Sequence, residues 1–229
     1  MTGYYTEKIS GRRLELCYEL ATPRVRQYLE AEIQHVLTRM RSTDVVLELG
    51  CGYGRVALRL AEAVRRVVGI DPAGESLEMA RELAGVNSRC EFLNMDALDL
   101  RYSAGWFDAV ICIQNGICAF GVNQEALLRE ALRVTRPRGI MLFSTYSDRF
   151  WRHRLAWFQA QAEADLIGPI DYDKSGDGVI VCRDGFRAGR FTPEDWRLLC
   201  SRVGCDPEII EVDESSVFCE ILKEDSARR

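Results

Sequence analysis

Hydrophobic runs alternate with amphipathic stretches from about residue 45 onward. The runs VVLEL (45–49), RVVGI (66–70), CEFL (90–93), FDAVICI (107–113) and IMLFSTY (140–146) have the length and composition of buried strands. Between them, residues 54–64 and 123–135 carry apolar side chains at helical spacing. This alternation predicts a parallel α/β sheet with helices packed on it.

The segments on either side of this region have recognisable start and stop signals. Two helices are predicted before the first strand, and the second begins at Thr22-Pro23, an N-cap followed by proline at the first helical position. The segment FTPEDWRLLCSRVGC (191–205) predicts another capped helix that ends at Gly204. The runs PEIIEV (207–212) and SVFCEIL (216–222) predict a closing antiparallel strand pair.

The segment between the fifth strand and the last helix looks like an insertion. DGVIVCRDGFRAGRF (177–191) predicts a hairpin that turns at Asp184-Gly185. The basic cluster RFWRHR (149–154) is interpreted as a solvated helix face with its aromatic side chains turned inward. We therefore predict one domain over 1–229, made of an N-terminal helical cap (1–41), a core (42–146), an inserted cap (147–191) and a closing helix and strand pair (192–222).

Composition and charge exclude several classes of protein and cellular compartments. Of the 229 residues, 47% are hydrophobic and 28% are charged, which suits a single globular domain. No apolar stretch approaches the roughly 18 residues of a membrane span, and the first residues, MTGYYTEKISGRR, lack the apolar core of a secretory signal. The nine cysteines include no CxxC pair, so we expect reduced thiols and a cytoplasmic protein. The net charge of −5 argues against a nucleic-acid partner.

The turn after the first predicted strand, VLELGCGYGR (46–55), is rich in glycine. Ligands of open parallel sheets bind beyond the carboxyl ends of the strands, where this turn lies. Its GxGxG spacing has Arg55 where the dinucleotide fingerprint needs a third glycine, which disfavours a nicotinamide cofactor. Glu48 is a carboxylate in an apolar strand, so it predicts a ligand with an ammonium group. The alternative is a Glu48 side chain that bonds its own turn.

Two further acids follow the next two strands. Asp71 ends the second strand at the distance from the glycine turn where an acid contacts ribose hydroxyls. Asp96, in NMDALDL (94–100), follows the third strand, where a carboxylate can accept a hydrogen bond from the amine of adenine. Each acid alone would be an ordinary loop residue, but together with Glu48 they predict a nucleoside site.

Five segments in this order and spacing resemble the class I S-adenosylmethionine-dependent methyltransferases: VLELGCGYGR, VVGID (67–71), NMDALDL, FDAVICIQNGI (107–117) and RVTRPRGIMLFSTY (133–146). The resemblance implies a Rossmann-like, seven-stranded, mostly parallel sheet of order 3-2-1-4-5-7-6 with strand 7 antiparallel. It implies S-adenosylmethionine as cofactor and S-adenosylhomocysteine as product, with no metal. The cofactor-binding positions that it implies are Glu48, Gly50, Cys51, Gly52 and Gly54 at the methionine moiety, Asp71 and Pro72 at the ribose, Asp96 and Ala97 at the adenine, and Ile113 beside the methionine end.

The sequence assigns no catalytic residue. Three residues are candidates, and each of them also has a purely structural interpretation. Tyr5 could close over the cofactor or simply anchor the chain end, and Asn115 could orient an acceptor or form a left-handed turn before Gly116. His153 could act as a base or lie on a helix surface. A second hypothesis places Cys17, Cys118 and Cys182 around the acceptor pocket, where three thiolates could hold arsenite. Unrelated packing cysteines are the favoured interpretation of these three.

We therefore expect an enzyme that methylates N, O or S of a small molecule, mainly by positioning it. The alternatives are an RNA or protein methyltransferase and a cofactor-binding module without catalysis. The acidic charge and the missing Asn/Asp-Pro-Pro-Tyr/Phe tetrapeptide after the fourth strand disfavour RNA. Monomer and homodimer both remain open.

Overall fold

The computed structural model describes residues 3–86 and 89–225, so the first two residues of the predicted N-terminal cap lie outside it. Its helices are α1 (Tyr4–Lys8), α2 (Gly11–Glu19), α3 (Pro23–Leu37), α4 (Arg55–Leu60), α5 (Gly74–Ala84), α6 (Gly116–Ala119), α7 (Gln124–Val134), α8 (Trp151–Glu163) and α9 (Pro193–Val203). Its strands are β1 (Val45–Leu49), β2 (Arg66–Asp71), β3 (Cys90–Asn94), β4 (Phe107–Cys112), β5 (Thr135–Tyr146), β6 (Ile180–Val181), β7 (Arg187–Ala188), β8 (Glu208–Val212) and β9 (Ser216–Leu222).

Seven strands form one sheet of order β3-β2-β1-β4-β5-β9-β8. Strands β1 to β5 pair in parallel, whereas β9 is antiparallel to both β5 and β8. Since β6 and β7 form a separate hairpin, β8 and β9 are the sixth and seventh strands expected from the sequence. The predicted order, with an antiparallel seventh strand, is confirmed.

Strand β1 lies in the middle of the sheet because its residues are apolar on both faces. Leu47 and Leu49 pack with Leu127 of α7 and Trp196 of α9. Val46 points to the opposite face, toward helices α3, α4 and α5. Alternation along a strand puts Glu48 on the same face as Val46. Glu48, the one acid of β1, therefore lies on the face of the sheet that helices α3, α4 and α5 cover.

Helix and strand ends differ from the sequence prediction in three places. Three helices precede the sheet instead of two, because Ile9 and Ser10 leave the helical conformation between α1 and α2. Helix α4 covers only Arg55–Leu60 of the predicted 54–64, and Arg65 is already bonded to the start of β1 through the carbonyl of Asp44. Strand β5 begins at Thr135, directly after α7, because it pairs with β4 from Phe107 onward.

The inserted segment and the N-terminal helices share a hydrophobic cluster of their own. Val25 and Tyr28 of α3 pack there with Phe150, Trp157 of α8 and Phe186 of the hairpin loop. The hairpin turns at Asp184-Gly185 as predicted, although each of its strands has only two residues. Within residues 3–86 and 89–225, no helix is long and apolar enough to cross a membrane.

Candidate active site

A cavity of about 240 Å³ lies between the carboxyl ends of the parallel strands and the N-terminal helices; we call it the central cavity. Ten of the predicted cofactor-binding and candidate catalytic residues line it: Tyr5, Glu48, Gly50, Cys51, Gly52, Asp71, Pro72, Asp96, Ala97 and Ile113. Gly54, Asn115 and His153 are not among its lining residues. Gly3 and Thr6 add part of the wall from the start of the chain.

The glycine turn is fixed by the acid at the end of β2. The backbone nitrogen of Gly52 donates to Asp71 Oδ2 at 3.0 Å, and that of Ala73 donates to Oδ1 at 2.8 Å. Burial raises the pKa of Asp71 above its ordinary value, and these two donors oppose the rise. Gly52 has φ +52°, and a Cβ added there would lie 2.8 Å from Leu14 Cδ2 of α2. The turn is thus packed tightly under the N-terminal segment.

Gly54 has a packing role instead of a lining role. It is the N-cap of α4 with φ +84°, a conformation that glycine adopts without strain. A Cβ added there would lie 2.8 Å from the Phe92 ring and 3.1 Å from Ala80. The third glycine of the turn therefore lets α4 start close to α5 and β3.

Glu48 is a buried carboxylate with an incomplete set of partners. It is 4% exposed, and its Oε2 has no hydrogen-bond partner among the described residues. Burial raises the pKa of this carboxyl to about 8, and the nearby Arg55 guanidinium opposes that rise. An unpartnered buried carboxylate in a cavity wall is a site for a cationic or hydrogen-bond-donating group of a ligand.

Arg55, which the sequence analysis used only as evidence against a nicotinamide cofactor, also lines the cavity. Its Nη2 donates to Gln114 Oε1, and its guanidinium lies 4.5 Å from the centroid of the Tyr18 ring. Its Nε is buried and has no hydrogen-bond partner within residues 3–86 and 89–225. Two residues of the cavity wall therefore have hydrogen-bonding atoms that no described residue uses: an acceptor oxygen on Glu48 and a donor nitrogen on Arg55.

Asp96 lies at the rim, after β3. Its Oδ1 accepts a hydrogen bond of 2.8 Å from the Leu98 nitrogen, an Asx-type turn that orients the carboxylate. Asp96 is exposed, whereas the preceding Met95 is buried. The carboxylate can still accept a second hydrogen bond from a group in the cavity.

Asn115, in the segment after β4, is not among the residues that line the cavity. Asn115 adopts φ +66°, the left-handed alternative considered from the sequence, and its Nδ2 donates to Gly189 O of the inserted cap at 3.1 Å. The preceding residue, Gln114, lines the cavity and also has a positive φ, +57°. Its backbone nitrogen donates to Glu32 Oε2 at 2.7 Å and to Ser144 Oγ at 2.8 Å.

Glu32 was missed by the sequence analysis, and Gln114 was not singled out within the segment after the fourth strand. Glu32 of α3 is completely buried, and burial raises the pKa of its carboxyl to about 7. It holds the backbone of Gln114 in a conformation that non-glycine residues rarely adopt. The only available signal was an acid among core positions of an amphipathic helix, which identifies no partner.

The basic cluster on α8 divides into exposed and buried residues. Arg152 and His153 are exposed, which is the surface alternative for His153 and removes it from the cavity. Arg154, interpreted from the sequence as solvated, is instead 1% exposed. Its guanidinium donates to the carbonyl oxygens of Gly178, Ala188 and Gly189, and so ties α8 to the hairpin.

Aromatic side chains from the N-terminal helices, β5 and α8 form a part of the cavity wall that we call the aromatic end. Tyr5, Tyr18, Tyr28, Tyr146, Trp157 and Phe158 contribute rings to its wall. Gln161 adds an amide that is 5% exposed. Trp157 is anchored by a 2.8 Å hydrogen bond from Nε1 to Cys17 O.

The three cysteines proposed as an arsenite site are not brought together. Cys17 lines the cavity, whereas Cys118 and Cys182 do not. In the described part of the chain, no group of three or more His, Cys, Asp or Glu side chains is arranged to hold a metal ion. Burial raises the pKa of Cys17 and Cys118 to about 12, so both are protonated packing residues at neutral pH.

Comparisons with known proteins agree with this geometry. Residues 46–139 match the model of a family described as a methyltransferase domain. Over 105 residues the chain is 31% identical to YqeM of Bacillus subtilis (strain 168), covering 45% of this chain and 42% of that protein. Over 139 residues it is 28% identical to the malonyl-[acyl-carrier protein] O-methyltransferase of Legionella pneumophila, covering 59% and 48%. The chain thus spans less than half the length of these curated relatives.

The solved structures that superpose on this chain show the same fold. A crystal structure of an S-adenosylmethionine-dependent methyltransferase from Aquifex aeolicus aligns with a TM-score of 0.62 and 16% identity, covering 91% of this chain and 97% of that chain. Residues 46–139 therefore match a methyltransferase domain family, and the sheet order and the superposition show the fold of class I S-adenosylmethionine-dependent methyltransferases. S-adenosylmethionine is the cofactor of that class.

Proposed function

We propose that this protein transfers the methyl group of S-adenosylmethionine to a small-molecule acceptor bound in the aromatic end of the central cavity. One observation carries the proposal. Glu48 Oε2 and Arg55 Nε are buried without partners among the described residues, and both residues line the same cavity. A free acceptor on a carboxylate and a free donor on a guanidinium complement the ammonium and carboxylate of an amino acid. The methionine moiety of the cofactor has both groups.

The remaining cofactor contacts follow the strand order. We assign Gly50, Cys51 and Gly52 to the methionine side, Asp71 and Pro72 to the ribose, Asp96 and Ala97 to the adenine, and Ile113 to the region beside the methyl donor. Each of these residues lines the central cavity. Asp71 has two backbone donors and retains acceptor capacity for hydroxyl groups.

The cofactor supplies a methyl group that its sulfonium already activates. The residues of the chain then have to align an acceptor with that group and keep water out. The rings of Tyr18, Tyr146 and Trp157 form an apolar wall for both tasks. Gln114 and Gln161 are the neutral polar groups at this end that can orient an acceptor.

A small acceptor is favoured over RNA or a protein for two reasons. Helices α1, α2 and α8 contribute side chains to the aromatic end, which favours an acceptor small enough to bind beneath them. The net charge of −5 gives no general attraction for nucleic acid. The segments 1–41 and 147–191 act in this proposal as caps on the core. We place the protein in the cytoplasm, because the thiols of Cys112 and Cys219 are buried in the sheet without a disulfide.

Two measurements test the proposal. Calorimetric titration with S-adenosylmethionine and S-adenosylhomocysteine should show binding, with NAD as a negative control; binding of neither ligand would remove the basis of the proposal. Incubation with methyl-labelled cofactor and a fractionated cell extract should then place label in small metabolites. Label confined to RNA or protein would favour the macromolecular alternative, and tight cofactor binding without any transfer would favour a non-catalytic module.

A further inference from the structure

Gln161 of α8 is a buried amide in the wall of the central cavity. The residue is 5% exposed, and its side chain forms no hydrogen bond with another described residue. A buried amide that is left unpaired is destabilising, because it has exchanged its bonds with water for none within the protein. When such a group lines a cavity, a ligand that enters can supply the missing partner.

Gln114, which also lines the cavity, already has partners for both ends of its amide. Its Oε1 accepts from Arg55 Nη2, and its Nε2 donates to the carbonyl oxygen of Leu29 at 3.5 Å. Its backbone nitrogen is held by Glu32 and by Ser144. Of these two glutamines, Gln161 is therefore the one whose amide is available to an acceptor.

Helix α8 holds the Gln161 amide beside two aromatic rings. Gln161 lies one helical turn after Trp157 and Phe158, so the three side chains are neighbours on the helix surface, and all three line the cavity. Trp157 Nε1 donates to Cys17 O of α2 at 2.8 Å, and the centroid of the Phe158 ring lies 5.7 Å from that of Phe186 in the hairpin loop. The amide thus has a fixed position next to an apolar surface.

The side chains of the aromatic end are neutral. Burial raises the pKa of its tyrosine hydroxyls, which therefore stay protonated at neutral pH: Tyr5, Tyr18, Tyr28 and Tyr146. The acidic and basic residues that line the cavity are those assigned to the cofactor in the proposed function: Glu48, Arg55, Asp71 and Asp96. An acceptor at the aromatic end therefore meets rings, hydroxyl groups and the Gln161 amide.

Two buried ionisable residues near this end lie outside the cavity wall, Arg154 and Glu32. The Arg154 guanidinium donates to three backbone carbonyl oxygens of the inserted segment, and Glu32 Oε2 accepts from the Gln114 nitrogen. A charged acceptor would therefore lose its hydration among aromatic rings without gaining an ion-pair partner, which is unfavourable for either sign of charge. Attraction of a cation to the Tyr146 ring is opposed by Arg154, 4.1 Å from that ring's centroid.

We propose that Gln161 binds the methyl acceptor, and that the acceptor is an uncharged molecule with an aromatic or apolar body and a hydroxyl, carbonyl or amide group that pairs with Gln161. This inference rests on the proposed function and names its substrate class. The amide donates through Nε2 and accepts through Oε1, so it can pair with each of these groups. In the transfer, the acceptor atom bonds to the methyl carbon, the carbon–sulfur electron pair stays on sulfur, and the proton of the acceptor atom leaves to solvent.

Fractionation by charge tests the substrate class. A small-molecule cell extract is separated on cation and anion exchangers at about pH 7.5, where carboxylates and simple amines are charged. The cationic, anionic and uncharged fractions are each incubated with the protein and methyl-labelled S-adenosylmethionine. Labelled product is expected from the uncharged fraction. Label that arises only from the cationic or the anionic fraction overturns the inference and leaves the proposed function standing, whereas no labelled product from any fraction contradicts the proposed function itself.

Variants of α8 test the role of Gln161. Gln161→Met keeps an unbranched side chain of similar length and removes the amide. It should raise the apparent KM about tenfold, the scale of losing one hydrogen bond to the acceptor, measured in dilutions of the uncharged fraction. Calorimetry should show unchanged affinity for S-adenosylhomocysteine. Gln159→Met, at an exposed position on the same helix, is the matched control and should change neither quantity.

Thermal denaturation without ligand separates binding of the acceptor from a structural role. Because Gln161→Met removes a buried amide that no described residue pairs with, its melting temperature should equal or exceed that of the unmodified protein. A lower melting temperature with an unchanged apparent KM would make Gln161 a structural residue and overturn its assignment. A variant that fails to fold would contradict the unpaired amide in the same way, and the charge of the productive fraction would still decide the substrate class.

Discussion

Gly52 donates its backbone N–H to Asp71 Oδ2 at 3.0 Å, which ties the glycine turn after β1 to the acid at the end of β2. The two cofactor-facing features found in the sequence are thus one hydrogen-bonded unit. A change at either residue acts on both, because the carboxylate orients the turn and the turn restricts the carboxylate. The first prediction follows from this coupling.

Replacement of Asp71 by alanine should weaken binding of S-adenosylmethionine by about 1–3 kcal/mol, the scale of a hydrogen bond to a charged group. The same variant should lower the melting temperature without ligand, since the Gly52 and Ala73 donors lose their acceptor. Calorimetry and thermal denaturation measure the two effects. Asp99→Ala, at an exposed loop position nearby, is the matched control, and unchanged affinity in Asp71→Ala would make the ribose assignment wrong.

Glu48→Gln should make the ligand-free protein more stable at alkaline pH. In the folded protein burial raises the pKa of Glu48 to about 8, whereas an unfolded glutamate has a pKa of about 4.3. The folded state therefore binds the extra proton between these values, and ionisation of Glu48 lowers the free energy of unfolding as the pH rises through this window. Glutamine removes that loss.

Thermal denaturation between about pH 5 and 9 checks the sign of this effect. The variant and the unmodified protein should be closest near pH 5 and differ most near pH 9. Glu32, whose pKa burial raises to about 7, adds the same trend, so the pH slope should shrink without vanishing. The exposed Glu78→Gln serves as control. A variant that is less stable than the parent at pH 9 would contradict a buried, unpartnered carboxylate.

Arg55→Met should weaken binding of S-adenosylhomocysteine about tenfold, because a methionine side chain keeps the apolar contact with Tyr18 but loses the donor. Methylthioadenosine, which has the nucleoside but no amino acid, separates the roles of the residues. Its affinity should be unaffected by Arg55→Met or Glu48→Gln and reduced by Asp71→Ala. Arg59→Met, on the same helix and paired with Glu30 at the surface, is the matched control. Weakened methylthioadenosine binding in Arg55→Met would contradict the assignment of Arg55 to the carboxylate.

Asp184→Ala should loosen the N-terminal helices. Asp184 Oδ2 accepts from the Tyr4 hydroxyl and from Lys8 Nζ at 3.2 Å, so the hairpin loop fastens α1. Hydrogen exchange over 4–19 should become faster in the variant, with little change over β1 or β4. The exposed Asp173→Ala in the same insertion is the control. Unchanged exchange over 4–19 would show that the aromatic contacts of Tyr4 and Tyr5 with Phe186 are sufficient.

The features that could be predicted from the sequence are those with local causes. Thr22 and Asn123 cap their helices with side-chain hydrogen bonds, and Thr192 with Asp195 forms the complete capping box. Each of these arrangements depends on residues three positions apart. The strands of the core were predictable because parallel strands buried on both faces are continuous apolar runs.

The features that could not be predicted depend on contacts between distant segments. Gln114 was passed over for Asn115, since nothing in QNG shows that Glu32, 82 positions away, holds the Gln114 nitrogen. Arg154 was interpreted as solvated because it is one of four basic residues in RFWRHR. Its burial instead depends on carbonyl groups of a hairpin that follows later in the chain. A local pattern reports which residues are apolar, but it does not report which polar residues will find partners.

The position of Gly3 in the cavity wall has a practical consequence for handling the protein. An affinity tag joined ahead of Gly3 would lie beside the central cavity. There it could block ligand binding and lower the measured affinity, as a weak inhibitor would. Lys223 follows β9 beside the amino-terminal part of β5, and its Nζ donates to the carbonyls of Leu132 and Thr135. A tag placed after the last strand is therefore the one to use for binding and transfer assays.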